Sequence, residues 1–501
     1  MLFTTGKACL RLVIKIQRNC IDRAIIKFRN PVLPSAERLC RLCQTSLQHQ
    51  LSNIDRMFSP PDTVRGMRVL DREAFKLTVK VPALKINKRI ISQLIRSKCF
   101  DEYILKRKRC HIKIMRDVPN EENKFWLLDP EKVTDMNSFS EETRQILKDN
   151  SVEEKLYEYD LEIRYKEWSA DEILRSVMPH DIEVISSFSR LGHIAHMNLR
   201  DEQMQYKKII GQVILDKNPG LKMVVNKVNT IDNEFRFFQM ELMAGEETSM
   251  VTSTKENHCT FEFDFSKVYW NSRLSTEHDR IVSMLQKGDV IYDVFAGVGP
   301  FAVPAAKKGC KVLANDLNPE SFKWLQRNVK LNKVNNRVQC FNLDGREFIK
   351  VVFKDNYLKH IKEKSKEAND DATYHIIMNL PALATEFLDA FKGLFSDVSD
   401  EERSQLKLPM VHCHCFSKSD DPVRDSRERI ERILGSTIMN ASIHDVRDVA
   451  PNKEMLCVSF KVPAEVLFLL PSDVDEEKDN TTSPNYASEP AAKKLCIDSE
   501  L

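Results

Sequence analysis

Alternating strand-like and helix-like segments through the C-terminal part of this 501-residue chain predict an α/β fold. The expected arrangement is a Rossmann-like parallel sheet preceded by smaller α/β domains. Three observations carry it. The apolar run Val290-Ile291-Tyr292 enters the turn Asp293-Val294-Phe295-Ala296-Gly297-Val298-Gly299-Pro300-Phe301, and a helix-like segment, 302–308, follows. Acidic residues close three successive predicted strands, at Asp293, Asp316 and Asp344. A fourth buried-strand pattern, Tyr374-His375-Ile376-Ile377-Met378, ends in Asn379-Leu380-Pro381-Ala382 before another helix, 384–394.

Each element has a local reason. Gly297 and Gly299 admit a backbone path and a ligand approach that a side chain would block. Pro300 suits a first helical turn, where its missing N–H costs nothing. Asp316 follows Gly297 by nineteen residues, at the end of Lys311-Val312-Leu313-Ala314-Asn315, where a carboxylate can accept from ribose hydroxyls. Asp344 ends Val338-Gln339-Cys340-Phe341-Asn342-Leu343 and can accept from an adenine amino group. An acid at 293, inside the strand, would repel a pyrophosphate and suits the cationic end of S-adenosylmethionine. That cofactor is preferred; NAD stays open because Ala302 is tolerated as the third position of a dinucleotide loop. Taken singly, each acid is equally an ordinary turn residue. The segments 444–449 and 454–460 flank Ala450-Pro451-Asn452-Lys453 as a closing hairpin.

The motifs Asp293 to Phe301, Asn315-Asp316-Leu317-Asn318-Pro319 and Asn379-Leu380-Pro381-Ala382 resemble those of the eukaryotic and archaeal tRNA (guanine-37-N1)-methyltransferase family. So do Phe265-Ser266-Lys267-Val268-Tyr269-Trp270-Asn271-Ser272-Arg273-Leu274-Ser275-Thr276-Glu277 and 189–199, and the resemblance spans roughly 70–465. It implies a class I S-adenosylmethionine methyltransferase domain and methyl transfer to N1 of guanosine-37, beside the anticodon, which supports reading-frame maintenance. The expected cofactor set is His278, Asp293, Phe295, Gly297, Gly299, Asp316, Leu317, Asp344, Gly345 and Asn379.

N1 of guanine holds a proton at neutral pH, so its methylation calls for a general base near N1 and a donor for the charge on O6. The family's base falls on Glu277, in the first turn of a predicted helix, 276–285. A helix N-terminus favours any glutamate there and lowers its pKa, so a base role calls for compensating burial or a negative neighbour. Arg236 is the candidate donor to O6, Asn379 orients the base or lines the cofactor pocket, and Tyr269 and Arg273 match positions at the target nucleotide. Alternatives are modification of another RNA base in a wybutosine-type step, transfer of the aminocarboxypropyl group, or tRNA binding without catalysis.

The remaining chain divides by composition. Residues 1–45 read as a mitochondrial presequence: Lys7, Arg11, Lys15, Arg18, Arg23, Lys27 and Arg29 face a single acid, Asp22, before residue 30. Residues 65–118 form an expected tRNA-docking α/β domain, 119–150 a polar linker, 151–270 a middle α/β domain with a hairpin tip at 245–259, and 271–465 the methyltransferase domain. Within the last, 354–371 reads as an irregular exposed insertion, and 466–501 as a disordered tail. The net charge of +2 leaves nucleic-acid binding to local patches, of which Lys106-Arg107-Lys108-Arg109 is one candidate. Thirteen cysteines without CxxC spacing point to reduced, packed thiols. His412-Cys413-His414-Cys415 alternates faces in a strand, and no metal site is expected there or at His193 and His196. The expected partner is tRNA, with no membrane and a monomeric enzyme, in the mitochondrial matrix with nuclear and cytoplasmic pools.

Overall fold

The computed structural model describes residues 57–106, 112–185, 187–228, 239–246, 249–364 and 372–470. Contacts divide them into two units, 71–176 with 57–65, and 177–470 with 66–70.

The first unit is built on an antiparallel sheet of order β2-β3-β1-β4, with β1 at Leu77–Asn87, β2 at Met115–Asp117, β3 at Asn123–Leu127 and β4 at Leu156–Ile163. β1 pairs with β3 on one side and with β4 on the other, from Leu77↔Ile163 to Leu84↔Leu156. Leu84, Ile86, Leu94, Phe100, Trp126, Leu128, Phe139 and Leu147 make its core. The expected linker 119–150 is therefore part of the fold. Phe125-Trp126-Leu127 supply an inner strand, and Ser140 caps the helix Glu141–Asp149 by accepting from Thr143 N at 3.2 Å. Polar turn residues around this short apolar run concealed it. For the same reason the expected boundary at 151 moves to 176, because β4 completes the first sheet.

The second unit holds two sheets and a hairpin. β5 (Ser189–Leu191), β6 (Ile194–Met197), β7 (Met223–Val228) and β8 (Gln239–Gly245) form one sheet, with β6 and β7 parallel. β9 (Val251–Glu256) and β10 (Cys259–Asp264) pair as a hairpin turning at Asn257 and His258, both in the left-handed region at φ 46° and 58°. The expected tip at 245–259 thus contains a strand: alternate β-branched residues bury Thr252 despite the polar composition.

The seven-stranded sheet has order β13-β12-β11-β14-β15-β17-β16. Its strands are β11 (Val290–Asp293), β12 (Lys311–Asn315), β13 (Val338–Phe341), β14 (Tyr374–Met378), β15 (Met410–Ser417), β16 (Ser442–Ala450) and β17 (Lys453–Lys461). β17 runs antiparallel between β15 and β16, so the expected closing hairpin is present. Buried apolar clusters cover both faces. Residues 354–364 form a helix in place of the expected irregular insertion, because Tyr357, His360 and Ile361 bury one helical stripe beneath a charged surface. The expected helix at 384–394 is a shorter 3₁₀ segment, Ala384–Phe391. The chain order reverses between β11 and β14, and that crevice is where a doubly wound sheet binds ligands.

Candidate active site

At the C-terminal ends of β11 and β14 lie two polar groups without hydrogen-bond partners among the described residues. Asp293 is fully buried, and neither carboxylate oxygen has a hydrogen bond. Asn379, just beyond β14, has a buried, unpartnered Oδ1. The parallel pairing of Asp293 with Ile377 brings the two residues to the same end of neighbouring strands. Burial, with repulsion from Asp316, pushes the Asp293 carboxyl up to about 8. A buried carboxylate left unsatisfied beside a glycine turn fits a cationic ligand that supplies the missing charge and donors.

The turn is shaped to receive that ligand. Gly297 and Gly299 sit at φ 55° and 98°. A Cβ at Gly299 would meet Leu325 Cδ1 at 2.8 Å, so glycine there also lets the helix Pro319–Leu331 close on the turn. Asp316 Oδ2 accepts from Gly297 N at 2.8 Å and Oδ1 from Asn318 N at 2.9 Å, which fixes its direction. Burial raises its pKa to about 6 against those two hydrogen bonds. Leu317 beside it is an exposed apolar side chain. Asp344 caps the next helical turn through Arg346 N at 2.9 Å. A Cβ on Gly345 would strike Phe295 Cε1 at 2.9 Å, so that glycine opens the floor under Phe295, itself edge-on to Phe387 with ring centroids 5.0 Å apart. The expected cofactor residues on these loops thus gather around one crevice.

Glu277 lies on the helix Ser275–Met284, whose Ile281 shares an apolar cluster with Cys457 of β17 and which meets β15 through the contact of Glu277 with His414. Its side chain is 2% exposed. Arg280, one turn on, holds both its oxygens: Nε donates to Oε2 at 2.6 Å and Nη2 to Oε1 at 2.7 Å. His414 Nε2, from β15, is 2.7 Å from Oε1, and His444 Nε2, from β16, is 3.8 Å from Oε2. Burial alone would raise the Glu277 pKa. The Arg280 fork and His414 reverse that and set it at about 2. Burial disfavours the His414 cation, the Cys457 sulfur and Glu277 favour it, and the outcome is a pKa of about 10. The two shifts agree on a buried ion pair. Arg280, His414 and His444 were not foreseen from sequence. Only Arg280, at i+3, carried a local signal.

One ligand atom each from Glu277, His414 and Cys457 lies within 4.8 Å of the others. A cation among them would face the Arg280 guanidinium, and Glu277 has already given both oxygens to Arg280. The arrangement suits an ion-paired carboxylate better than a metal.

His278 points its Nδ1 to Glu256 Oε1 at 2.5 Å and stacks edge-on with Phe301, so its ring is engaged by the protein. Tyr269 is 43% exposed, with its hydroxyl 3.4 Å from Asn271 Nδ2. Arg273 is exposed, and its charge depresses the pKa of Lys227, His196 and Arg447, which marks a cationic surface around Tyr269. Burial is the first cause in each case, setting Lys227 at about 8 and His196 at about 3. Arg236, residues 1–45 and Arg107 to Arg109 lie outside the described residues.

The chain is also similar to known proteins. The domain described as "TRM5/TYW2 methyltransferase domain" matches residues 252–432, and "TYW2 N-terminal domain" matches 170–248. The chain is 51% identical to a tRNA (guanine(37)-N(1))-methyltransferase of Xenopus tropicalis over 89% of this chain and 88% of the relative. It is 48% identical to one of Homo sapiens over 87% of this chain and 82% of the relative. A solved structure described as the complex of aTrm5 and tRNALeu shares the fold, with a TM-score of 0.51 and 24% identity over 76% of this chain and 99% of that one. The chain belongs to the tRNA (guanine(37)-N(1))-methyltransferase family.

Proposed function

We propose that the protein methylates N1 of guanosine-37 in tRNA, with S-adenosylmethionine as methyl donor. The single observation that carries this reading is the unsatisfied pair Asp293 and Asn379 at the strand switch, in the same unit as the buried, ionised Glu277. The cofactor brings a methyl group already activated on sulfur, so the protein's share is binding, orientation and proton handling. Asp293 supplies a carboxylate for the cationic end of the cofactor. Asp316 and Leu317 serve its ribose and adenine, and Phe295 and Gly345 wall the crevice. Asn379 orients the guanine edge.

Glu277 is the proton acceptor for N1. Its fork with Arg280 keeps it ionised across the neutral range and fixes its direction, which favours reaction by placement more than by basicity. Tyr269 offers a ring against the target nucleotide, and Arg273 a charge for its phosphates. Arg236 donates to O6. The basic, apolar-interleaved residues 1–45 direct the protein to the mitochondrial matrix, with nuclear and cytoplasmic pools beside it, and it acts as a monomer.

Labelled S-adenosylmethionine offered with paired transcripts carrying G or A at position 37 tests the reading. Label only in the G form, recovered as 1-methylguanosine after digestion, is expected. Equal label in both forms would remove the position-37 assignment, and a product heavier than one methyl group would replace methyl transfer with aminocarboxypropyl transfer.

A further inference from the structure

Three side chains under Glu277 form a row. His414 on β15 pairs with Cys457 on β17, and Cys457 pairs with His444 on β16. Directly paired residues on neighbouring antiparallel strands project to the same face, here the face covered by the Glu277 helix. The row passes from His414 and Cys457, both fully buried, to His444, whose side chain is 45% exposed on the edge strand. Glu277 spans it, with one oxygen on His414 and the other facing His444 at 3.8 Å. The inner end of the row is closed. Arg280 and His414 already donate to the carboxylate, and His412 behind them is engaged by Ser459 and His375. At the outer end His444, with 45% of its side chain exposed, faces both Glu277 and water.

We propose that His444 is the outlet for the proton that Glu277 takes from guanine N1. This rests on the reading of Glu277 as proton acceptor. The N1–H bond breaks and its proton moves to Glu277 Oε2. The N1 electron pair forms the new N–CH₃ bond while the methyl–sulfur bond breaks and leaves its pair on sulfur. Glu277 hands the proton to the free Nε2 of His444, which releases it to water, so the reaction as a whole sets free one proton. A distance of 3.8 Å exceeds a hydrogen bond and is spanned by a side-chain adjustment or one bridging water. The role of His444 is to clear the proton, while Arg280 and His414 are positioning residues that keep Glu277 pointed at the base.

The test is single-turnover methyl transfer by the full-length His444→Ala protein on a G37 transcript, with and without imidazole in the buffer, and with tRNA affinity measured separately. A rate lowered by about tenfold or more, unchanged tRNA affinity and recovery with added imidazole are expected, proton transfer by a positioned group being worth about 10²–10⁴-fold. An unchanged rate overturns the proposal. So does a lowered rate that imidazole does not restore, and so does weakened tRNA binding with a normal rate at saturation, which would make His444 a substrate contact. Glu277→Gln, run in parallel, separates the two ideas: full activity in that variant sinks the base reading itself, whereas its loss beside an unaffected His444→Ala sinks only the outlet.

Discussion

Two buried carboxylates at one end of the same sheet have opposite surroundings. Asp293 has no hydrogen-bond partner among the described residues and is pushed up to about 8. Glu277 has three charged donor contacts within 2.7 Å and is held at about 2. Burial acts the same way on both; the neighbours decide. An unsatisfied acid is a site awaiting a cation, and a saturated one is a fixed acceptor. Sites that divide two roles between two carboxylates separate their pKa values in this way.

Removing the neighbours should erase the contrast. His414→Ala leaves Glu277 buried with one charged partner fewer, and breaking a buried ion pair costs about 3–5 kcal/mol. Urea unfolding should show a loss of that size, and a loss under 1 kcal/mol would mean that Glu277 is solvated or held by Arg280 alone. At the other acid, Asp293→Asn should weaken S-adenosylmethionine binding by about 1.5–3 kcal/mol, the worth of a hydrogen bond to a charged group.

The pH dependence sharpens that second point. A cation binds the ionised carboxylate, so wild-type affinity should rise with pH toward about 8 and level off above it, while Asp293→Asn stays flat. Calorimetric titrations from pH 6.5 to 9 would show parallel curves if Asp293 does not face the cofactor's charge. Gly299→Ala should cost about 1–3 kcal/mol by crowding Leu325 at a positive φ. Thermal unfolding without ligand checks it, and an unchanged melting temperature would argue that the turn relaxes freely.

The smallest effect is in the stability profile. His414 titrates higher folded than unfolded, so its contribution is fully present below pH 6.5 and is lost as pH rises through about 10. Glu277 titrates lower folded than unfolded, so its contribution is present above 4.5 and is lost as pH falls through about 2. In His414→Ala the alkaline decline should flatten. Its persistence would assign the decline to other groups.

What could be read from sequence follows the range of the interaction. The glycine turn, the acids at strand ends and the closing hairpin are local patterns; β11 to β13 carry the first two and β16 with β17 the third, where expected. The inner strand at Phe125-Trp126-Leu127 is short and flanked by polar turn residues, and the helix Lys354–Lys364 has a polar face that outweighs its narrow buried stripe, so neither stands out in sequence. His414, Cys457 and His444 meet only through the antiparallel insertion of β17 between β15 and β16, a pairing with no local signature. The alternation in His412-Cys413-His414-Cys415 fixed which residues share a face, but it could not say that a glutamate 137 residues earlier would cover that face. The compensation expected for a base at Glu277 is present as burial, but Arg280 and His414, not the helix N-terminus, hold its pKa low. That a guanidinium fork and an imidazolium outweigh burial there depends on residues brought in by the fold.

The most direct measurement is the single-turnover rate of Glu277→Gln on a G37 transcript, with S-adenosylmethionine affinity determined on the same protein. Glutamine keeps the shape and removes the acceptor charge. The expected result is a rate lowered by about 10²–10⁴-fold with cofactor binding intact. A wild-type rate would contradict the assignment of the N1 proton to Glu277 and leave the buried ion pair a purely structural element.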